Sequence, residues 1–401
     1  MDIAMLRELV AGQEAPLLAF CQRLMRTRSL PGEEGDAARL VRSEMQALGY
    51  DDTWVDDVGN VIGVIRGAGS GRSLMLNTHL DHVDAGDVRG WRFPPHEGKI
   101  HDGVLWGRGA VDIKGSTAAQ VYGVVLLKTA GIVPAGDVYV VGVVQEEVGG
   151  LGSLELARTL RTDRAVIGEA TGNELRRGHR GRIELIVRVT GRACHASAPE
   201  RGINPIFSLA NVVTGLRDLA TVEDIFLGPE TFAPTLLSTD QISSNVVPGE
   251  VRLHIDWRTV PQRGVEDIRS AVARVVDAAL VDGATGDVHL NELRLRTYTG
   301  QVREVPAAFP SFVLAEDDPM LGLARSALEA AFGHPVPVGR WSLATDGGHL
   351  FAAGIPCVGF GPGDERLAHT NREHVAVSDL PKAALGNAAL AFALTAADEA
   401  F

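Results

Sequence analysis

The chain is poor in features that mark several large classes of protein. Three cysteines, Cys21, Cys194 and Cys357, are scattered over 401 residues, and none lies in CxxC spacing. An odd, dispersed set argues against a disulfide framework and against a thiolate zinc site. No apolar run approaches the roughly 20 residues that cross a bilayer. The opening Met1-Asp2-Ile3-Ala4-Met5-Leu6-Arg7-Glu8 lacks the basic start and long apolar stretch of a secretion signal. Positive charge is in deficit, with 38 Lys+Arg against 51 Asp+Glu and a formal charge of −13. Nucleic acid and anionic membranes would repel such a surface. Neither an internal repeat nor a low-complexity tract interrupts the chain. These absences lead to the expectation of a soluble, cytoplasmic protein.

What is present is the balance of an ordinary globular chain, 45% hydrophobic and 22% charged. At about 100–200 residues per domain, the length predicts two or three folded units. Helical spacing marks 3–28, 36–48, 114–130 and 152–160, and strand-like runs mark 61–65, 73–76, 138–144 and 165–167. Strands alternating with helices predict an α/β domain with a mostly parallel sheet. Near Gly178 the style changes to a β-α-β-α-β block: strands at 183–189, 251–257 and 293–298, helices at 203–216 and 265–278. After Gly300 the α/β style resumes, with helices at 319–332 and 380–394 and a strand at 357–360. The expected organisation is a discontinuous domain of residues 1–178 and 299–401 carrying an inserted α+β domain at 179–298.

Five positions carry candidate chemistry, four of them at or just beyond predicted strand ends, where open α/β sheets bind ligands. They are His79-Leu80-Asp81, the glycine-rich Gly107 to Gly115 with Asp112, Gln145-Glu146-Glu147, Gly168-Glu169 and His369. Singly each is unremarkable: a strand-end histidine or a pair of glutamates is commonly structural. A carboxylate pair closing seven apolar strand residues, however, is costly unless paired or metal-bound. Gly109 to Ser116 has the look of a phosphate loop, but Ile113 stands where glycine must precede Lys114, so that reading fails. Two histidines with several carboxylates and no cysteine suit Zn²⁺, Co²⁺ or Mn²⁺. Two His/Glu pairs about one further carboxylate suggest a bridged pair of ions, about 3.5–4 Å apart, activating water. A non-ligating glutamate would serve as general base.

The ordered set His79-x-Asp81, Gly107-Arg108-Gly109-x-x-Asp112-x-Lys114-Gly115, Glu146-Glu147, Glu169 and His369 resembles the co-catalytic zinc hydrolases. That family includes acetylornithine deacetylase, succinyl-diaminopimelate desuccinylase, aminoacylase and glutamate-releasing carboxypeptidase. The resemblance spans nearly the whole chain. It implies a zinc-peptidase-like catalytic domain with a ferredoxin-like lid and dimerisation domain. His79 and Glu169 would hold one metal, Glu147 and His369 the other, and Asp112 would bridge them. Asp81 would orient His79 through its second nitrogen, and Glu146 would be the general base. Arg192 to Pro199 and Gly202 to Pro205 resemble the lid segment whose histidine, here His195, stabilises the oxyanion in the partner subunit's site. Asn245 and Arg258 match positions that contact a substrate carboxylate, and Thr345 to Gly348, with Thr345 and Gly347, the loop that meets the substrate's backbone. The resemblance thus implies a homodimeric hydrolase with two divalent metals, cleaving an N-acyl amino acid or short peptide.

Other readings of the same residues are a metallo-carboxypeptidase or dipeptidase, a non-catalytic metal-bearing ligand-binding protein, and a two-metal phosphoesterase. The last would need more cationic groups near the metals, and a binding protein would have no need of Glu146. The remaining histidines read as surface or structural, with His349 the one to examine. Cys194 beside His195 does not form a Cys–His pair, since neighbours on a strand face opposite ways.

Overall fold

The computed structural model describes residues 2–397. The chain divides into two compact units, one of residues 1–179, 294–303 and 313–401, the other of 180–293 and 304–312. The return from the second unit is therefore not one passage near residue 298: residues 294–303 join the first unit and 304–312 go back to the second.

In the first unit, strands Asp52–Val55, Val61–Ile65, Val138–Val143, Leu74–His79, Arg164–Ile167, Cys357–Gly359 and Leu175–His179 lie side by side in that order. Leu74–His79 runs parallel to both its neighbours, and Cys357–Gly359 runs parallel to Arg164–Ile167. The 52–65 hairpin and Leu175–His179 flank this parallel centre in antiparallel fashion. The central strands are buried along their length, which is why they read as continuous apolar runs. Helix Gly115–Thr129 is buried on all sides from Gly115 to Leu127, packed among helices Ile3–Arg26 and Asp379–Leu394 and the sheet. The Asp2 side chain caps the first of these by accepting the backbone N–H groups of Ala4 and Met5.

The second unit is an antiparallel sheet in the order Thr231–Thr239, Glu250–Thr259, Gly181–Thr190, Thr285–Leu290. Ala308–Phe309 adds to the start of Gly181–Thr190. Ile183, Leu185, Val187, Val189, Val251, Leu253, Ile255 and Trp257 form a core with Leu209, Val212 and Leu216 of helix Pro205–Leu216 and Ile268, Val272 and Val276 of helix Val265–Ala279. The period-two alternation places Arg182, Glu184, Arg252, His254, Asp256 and Arg258 on the other face. Two expectations change here. The closing strand of the sheet is Thr285–Leu290, and the expected strand at 293–298 is Glu292–Arg296, which lies outside it. Thr231–Thr239 is a strand the alternation test does not flag, because as an outer strand it is exposed along nearly its whole length.

The strand ends are held at close quarters. Gly168 donates its N–H to the Asn77 carbonyl at 2.8 Å, and a Cβ there would meet Thr78 Cγ2 at 2.5 Å and Gln120 Nε2 at 2.7 Å. Gly168→Ala is therefore expected to destabilise the protein by about 1–3 kcal/mol, read as a lowered urea midpoint with unchanged slope.

Candidate active site

Adjacent parallel strands deliver the site. His79 ends its strand opposite Val143, so Gln145-Glu146-Glu147 emerge at the same edge. Glu169 follows Ile167 on the strand paired to the other side. Asp112 comes from the turn ahead of helix Gly115–Thr129. His369, in the loop after Cys357–Gly359, sits in the left-handed region at φ 60°. Non-glycine residues are held there only when their surroundings demand it.

These side chains converge in two triads that share Asp112: His79, Asp112 and Glu169, and Asp112, Glu147 and His369, with ligand atoms within 4.8 Å of one another in each. His79 Nε2 is 3.0 Å from Asp112 Oδ1 and 3.4 Å from Glu169 Oε1. His369 Nε2 is 3.1 Å from Asp112 Oδ2 and 3.0 Å from Glu147 Oε2. One aspartate thus turns one oxygen to each histidine, the disposition of a bridging ligand.

The electrostatics point the same way. Burial disfavours a charged His79 ring, yet the Asp112, Asp81 and Glu169 carboxylates outweigh it and hold its pKa well above the usual range. Hydrogen bonds that His369 donates to the Asp112 and Glu147 carboxylates lift its pKa to about 10. Burial, then the Asp112 charge, pushes Glu147 up to about 7. The same two causes raise Glu169. Burial also pushes Glu146 well up; the His79 ring opposes this, while the Asp346, Glu169 and Glu147 carboxylates add to it. A cluster with more carboxylates than histidines, buried except at His369, holds an excess of negative charge, and imidazole-carboxylate triads are the donors that divalent transition metals take. The residues present fit two such ions.

The supports are mostly acids accepting backbone N–H groups. His79 Nδ1 meets the Asp81 carbonyl oxygen at 2.9 Å, and the Asp81 carboxylate stands off at 3.5 Å. That carboxylate instead accepts the N–H groups of Glu146 (3.1 Å) and Glu147 (3.0 Å), fixing the glutamate turn. Two further acids, Glu373 and Glu34, escape notice in the sequence because they sit in no recognisable spacing, and a third, Asp346, lies in the Thr345 to Gly348 loop without a role of its own there. Glu373 is fully buried, accepts the N–H groups of Val111 and Asp112 at 3.0 and 3.1 Å, and pairs with Arg108 at 2.5 Å. Glu34, also fully buried, accepts the Gln145 N–H at 3.2 Å. Asp346 is buried, and burial drives its carboxyl up to about 7. Lys114 donates to the Thr27 carbonyl at 2.6 Å and is buried, so it is no phosphate ligand.

Thr345 and Gly347 lie in the first unit, buried, with the Thr345 hydroxyl accepting the Gly347 N–H at 3.1 Å. His349 is buried beside them, and burial followed by the His179 charge lowers its pKa to about 4. In the second unit, a short ribbon pairs Cys194–His195 with Val246–Val247, and Ala196 donates its N–H to the Asn245 carbonyl at 2.8 Å. His195 and Asn245 are thereby neighbours. The exposed His195 ring accepts the Ser197 N–H on Nδ1 at 3.1 Å, with the Ser197 hydroxyl 2.7 Å away. Nδ1 being the acceptor, the neutral ring carries its proton on Nε2. Arg258 lies elsewhere in this unit, on the helix-free face of the sheet, paired with Asp256 at 2.9 Å.

His82 illustrates how the site's surroundings respond to acid. Its Nε2 accepts the Ser29 N–H at 3.1 Å and its Nδ1 donates to the Val83 carbonyl at 2.8 Å. Burial, then the Lys114 charge, lowers its pKa from 6.5 to about 3. Between those values the unfolded chain binds a proton that the folded chain refuses. Stability therefore falls as pH drops through this window, by about 1.4 kcal/mol per unit for this group. His82→Asn is expected to lower stability at pH 7 but to flatten the acid slope by about that amount, measured by denaturant unfolding from pH 7 to 4.

Comparison with known proteins accords with this geometry. The chain is 32% identical over 375 residues to the uncharacterised protein YgeY of Escherichia coli (strain K12), covering 90% of this chain and 91% of YgeY. It is 28% identical over 395 residues to N-formyl-4-amino-5-aminomethyl-2-methylpyrimidine deformylase of Halalkalibacterium halodurans, covering 91% of each. The fold matches the YXEP protein of Bacillus subtilis, a dinuclear metal binding peptidase, with a TM-score of 0.72 at 16% identity over 96% of this chain and 99% of that one. Residues 75–392 match peptidase family M20/M25/M40, and the chain belongs to that family of metal-dependent hydrolases of amide and peptide bonds.

Proposed function

We propose that this hydrolase uses two metals to release a free amino acid from a small N-acyl amino acid. The observation that carries the reading is the pair of triads joined through Asp112, with the buried Glu146 next to them and outside both. His79, Asp112 and Glu169 would hold one ion, and Asp112, Glu147 and His369 the other. Zn²⁺ is the favoured occupant, with Co²⁺ and Mn²⁺ suited to the same donors. Bound there, the pair supplies Lewis acidity toward a water and the scissile carbonyl.

The chain's own residues do the rest. Glu146 takes the proton of the attacking water and passes it to the leaving amine. Asp81, by gripping the N–H groups of residues 146 and 147, keeps the base and the neighbouring ligand in register. His195 offers its Nε2 proton to the oxyanion in the partner subunit's site. Arg258 receives the substrate carboxylate, for which a guanidinium fork is well shaped, Asn245 travels with its neighbour His195 to meet that group in the partner subunit's site, and the Thr345–Gly347 segment borders the substrate's backbone. A homodimer is part of this reading. Its support is the outer strand Thr231–Thr239, whose Leu236 and Leu237 are each 57% exposed, a free edge of the kind that pairs with a second copy. Full-length similarity to a deformylase favours acyl removal over peptide cleavage, although a dipeptidase would use the same residues.

N-acetyl, N-succinyl and N-carbamoyl amino acids and dipeptides, assayed after chelation and after restoring Zn²⁺, Co²⁺ or Mn²⁺, test the proposal. Turnover is expected to vanish on chelation and return with metal, with acyl amino acids outpacing dipeptides. Cleavage indifferent to chelation would sink it. Glu146→Gln is expected to lower kcat by about 10²–10⁴-fold while the metal content measured by atomic emission stays that of the wild type. Undiminished turnover in that variant would remove Glu146 from the role.

A further inference from the structure

On the helix-free face of the second unit's sheet, Arg182 and Arg258 stand directly opposite each other across neighbouring strands. Like charges in that relation are destabilising, so their persistence in a buried-backbone register needs a counterweight. Asp256 provides it. One carboxylate oxygen takes Arg182 Nε at 2.6 Å and the other takes Arg258 Nε at 2.9 Å. The bridge thus uses the Nε edge of both guanidinium groups. Among the described residues, no carboxylate or carbonyl is seated on the Nη nitrogens of either. The two side chains are 40% and 35% exposed.

Nearby charges do not cancel this pair. Glu184, opposite Asp256 in the register, is engaged by His254 Nδ1 at 2.5 Å. On the far side of Arg258, its strand partner Thr231 accepts from Arg180 Nη1 at 3.3 Å, and the same Nη1 donates to the Pro229 carbonyl at 2.9 Å. That brings a third guanidinium to this end of the sheet. Two arginines braced by one aspartate leave a net positive charge there, with Nη edges available on both.

We infer that Arg182 and Arg258 form a two-pronged receptor for one carboxylate, with Asp256 as its brace, and that Arg182 is a specificity-determining residue for substrates with a free carboxylate beside the scissile amide. This rests on the proposed reading of Arg258 and adds a second prong to it. Asp256 holds the two forks side by side, so a carboxylate gains a charge-assisted contact from each, whereas the corresponding carboxamide brings no charge and, with its oxygen toward one fork, turns N–H groups toward the other.

The test compares the metallated wild type, R182Q and R258Q on the best-hydrolysed acid of the acyl amino acid panel and on its C-terminal amide. The wild type is expected to prefer the acid by about 10–100-fold in kcat/KM. Each variant should raise KM for the acid by about tenfold or more, leave kcat within a few-fold, and erase most of the preference over the amide. R182K, which keeps the charge but not the fork, should recover only part of it. In protein labelled with ¹⁵N-arginine and titrated with the same acid, the Nε–H signals of Arg182 and Arg258 should move together, a readout independent of turnover. If R258Q loses acid preference while R182Q keeps it and the Arg182 signal stays still, the second prong is wrong and the reading of Arg258 stands. If neither variant changes KM, the carboxylate site itself is misplaced.

Discussion

Carboxylates taken out of water are the constraint around which the catalytic unit is built. Asp112, Glu146 and Glu169 lie in or against the core, and three more acids, Asp81, Glu34 and Glu373, sit behind them. A carboxylate in such a place is tolerable only when hydrogen-bonded, paired or bound to a cation. The chain meets that demand in layers. The rear acids accept backbone N–H groups, and in doing so they fix the two turns that carry Asp112 and Glu146-Glu147. The front acids face two histidines, whose raised pKa values register an excess of negative charge that protein groups alone do not remove. Two divalent cations are the natural completion. Asp112, Glu146 and Glu147 thus stand on backbone already pinned from behind.

The second unit handles charge in the opposite way. Its core is a conventional apolar layer between sheet and helices, and apart from the pair that buried Glu230 makes with Arg263 the ionic side chains of its two central strands lie on the helix-free face, where water shares the cost of each. The Arg182–Asp256–Arg258 arrangement is therefore cheap to maintain, since exposed pairs contribute little to stability in either direction. Charge placed there can serve recognition without being required for folding.

Much of this was legible in the sequence, and for a physical reason. A buried parallel strand must end where polar residues begin, so His79, Glu146-Glu147 and Glu169 announce themselves as the first costly groups after apolar runs. The bridging role of Asp112 and the pairing of His369 with Glu147 depended on family resemblance, because a glycine-rich loop and a lone histidine have no period. Glu34 and Glu373 were invisible: an isolated glutamate looks the same whether it is solvated or buried against backbone N–H groups from a distant turn. The role of Asp81 was only half readable. Its proximity to His79 suggested a contact with the ring, but the ring takes the carbonyl oxygen while the carboxylate turns to the glutamates. In the second unit, alternation found the strands with one buried face and failed for Thr231–Thr239, which has none. It also put the last strand at 293–298 instead of Thr285–Leu290, since both segments alternate and only pairing with Gly181–Thr190 separates them.

The division between the two units explains why reaction class can be stated where substrate cannot. A substitution at Asp112, Asp81 or Glu373 leaves buried groups unpaired, and the penalty for each falls on folding as well as on metal binding. Drift is therefore blocked at the strand ends. On the open face of the second unit, exchanging one exposed side chain for another changes stability by no more than about 0.5 kcal/mol, so the groups proposed to meet the substrate can diverge freely. Similarity over the whole length then transmits the reaction class, and the charges on that face are where the proposed reading looks for the substrate.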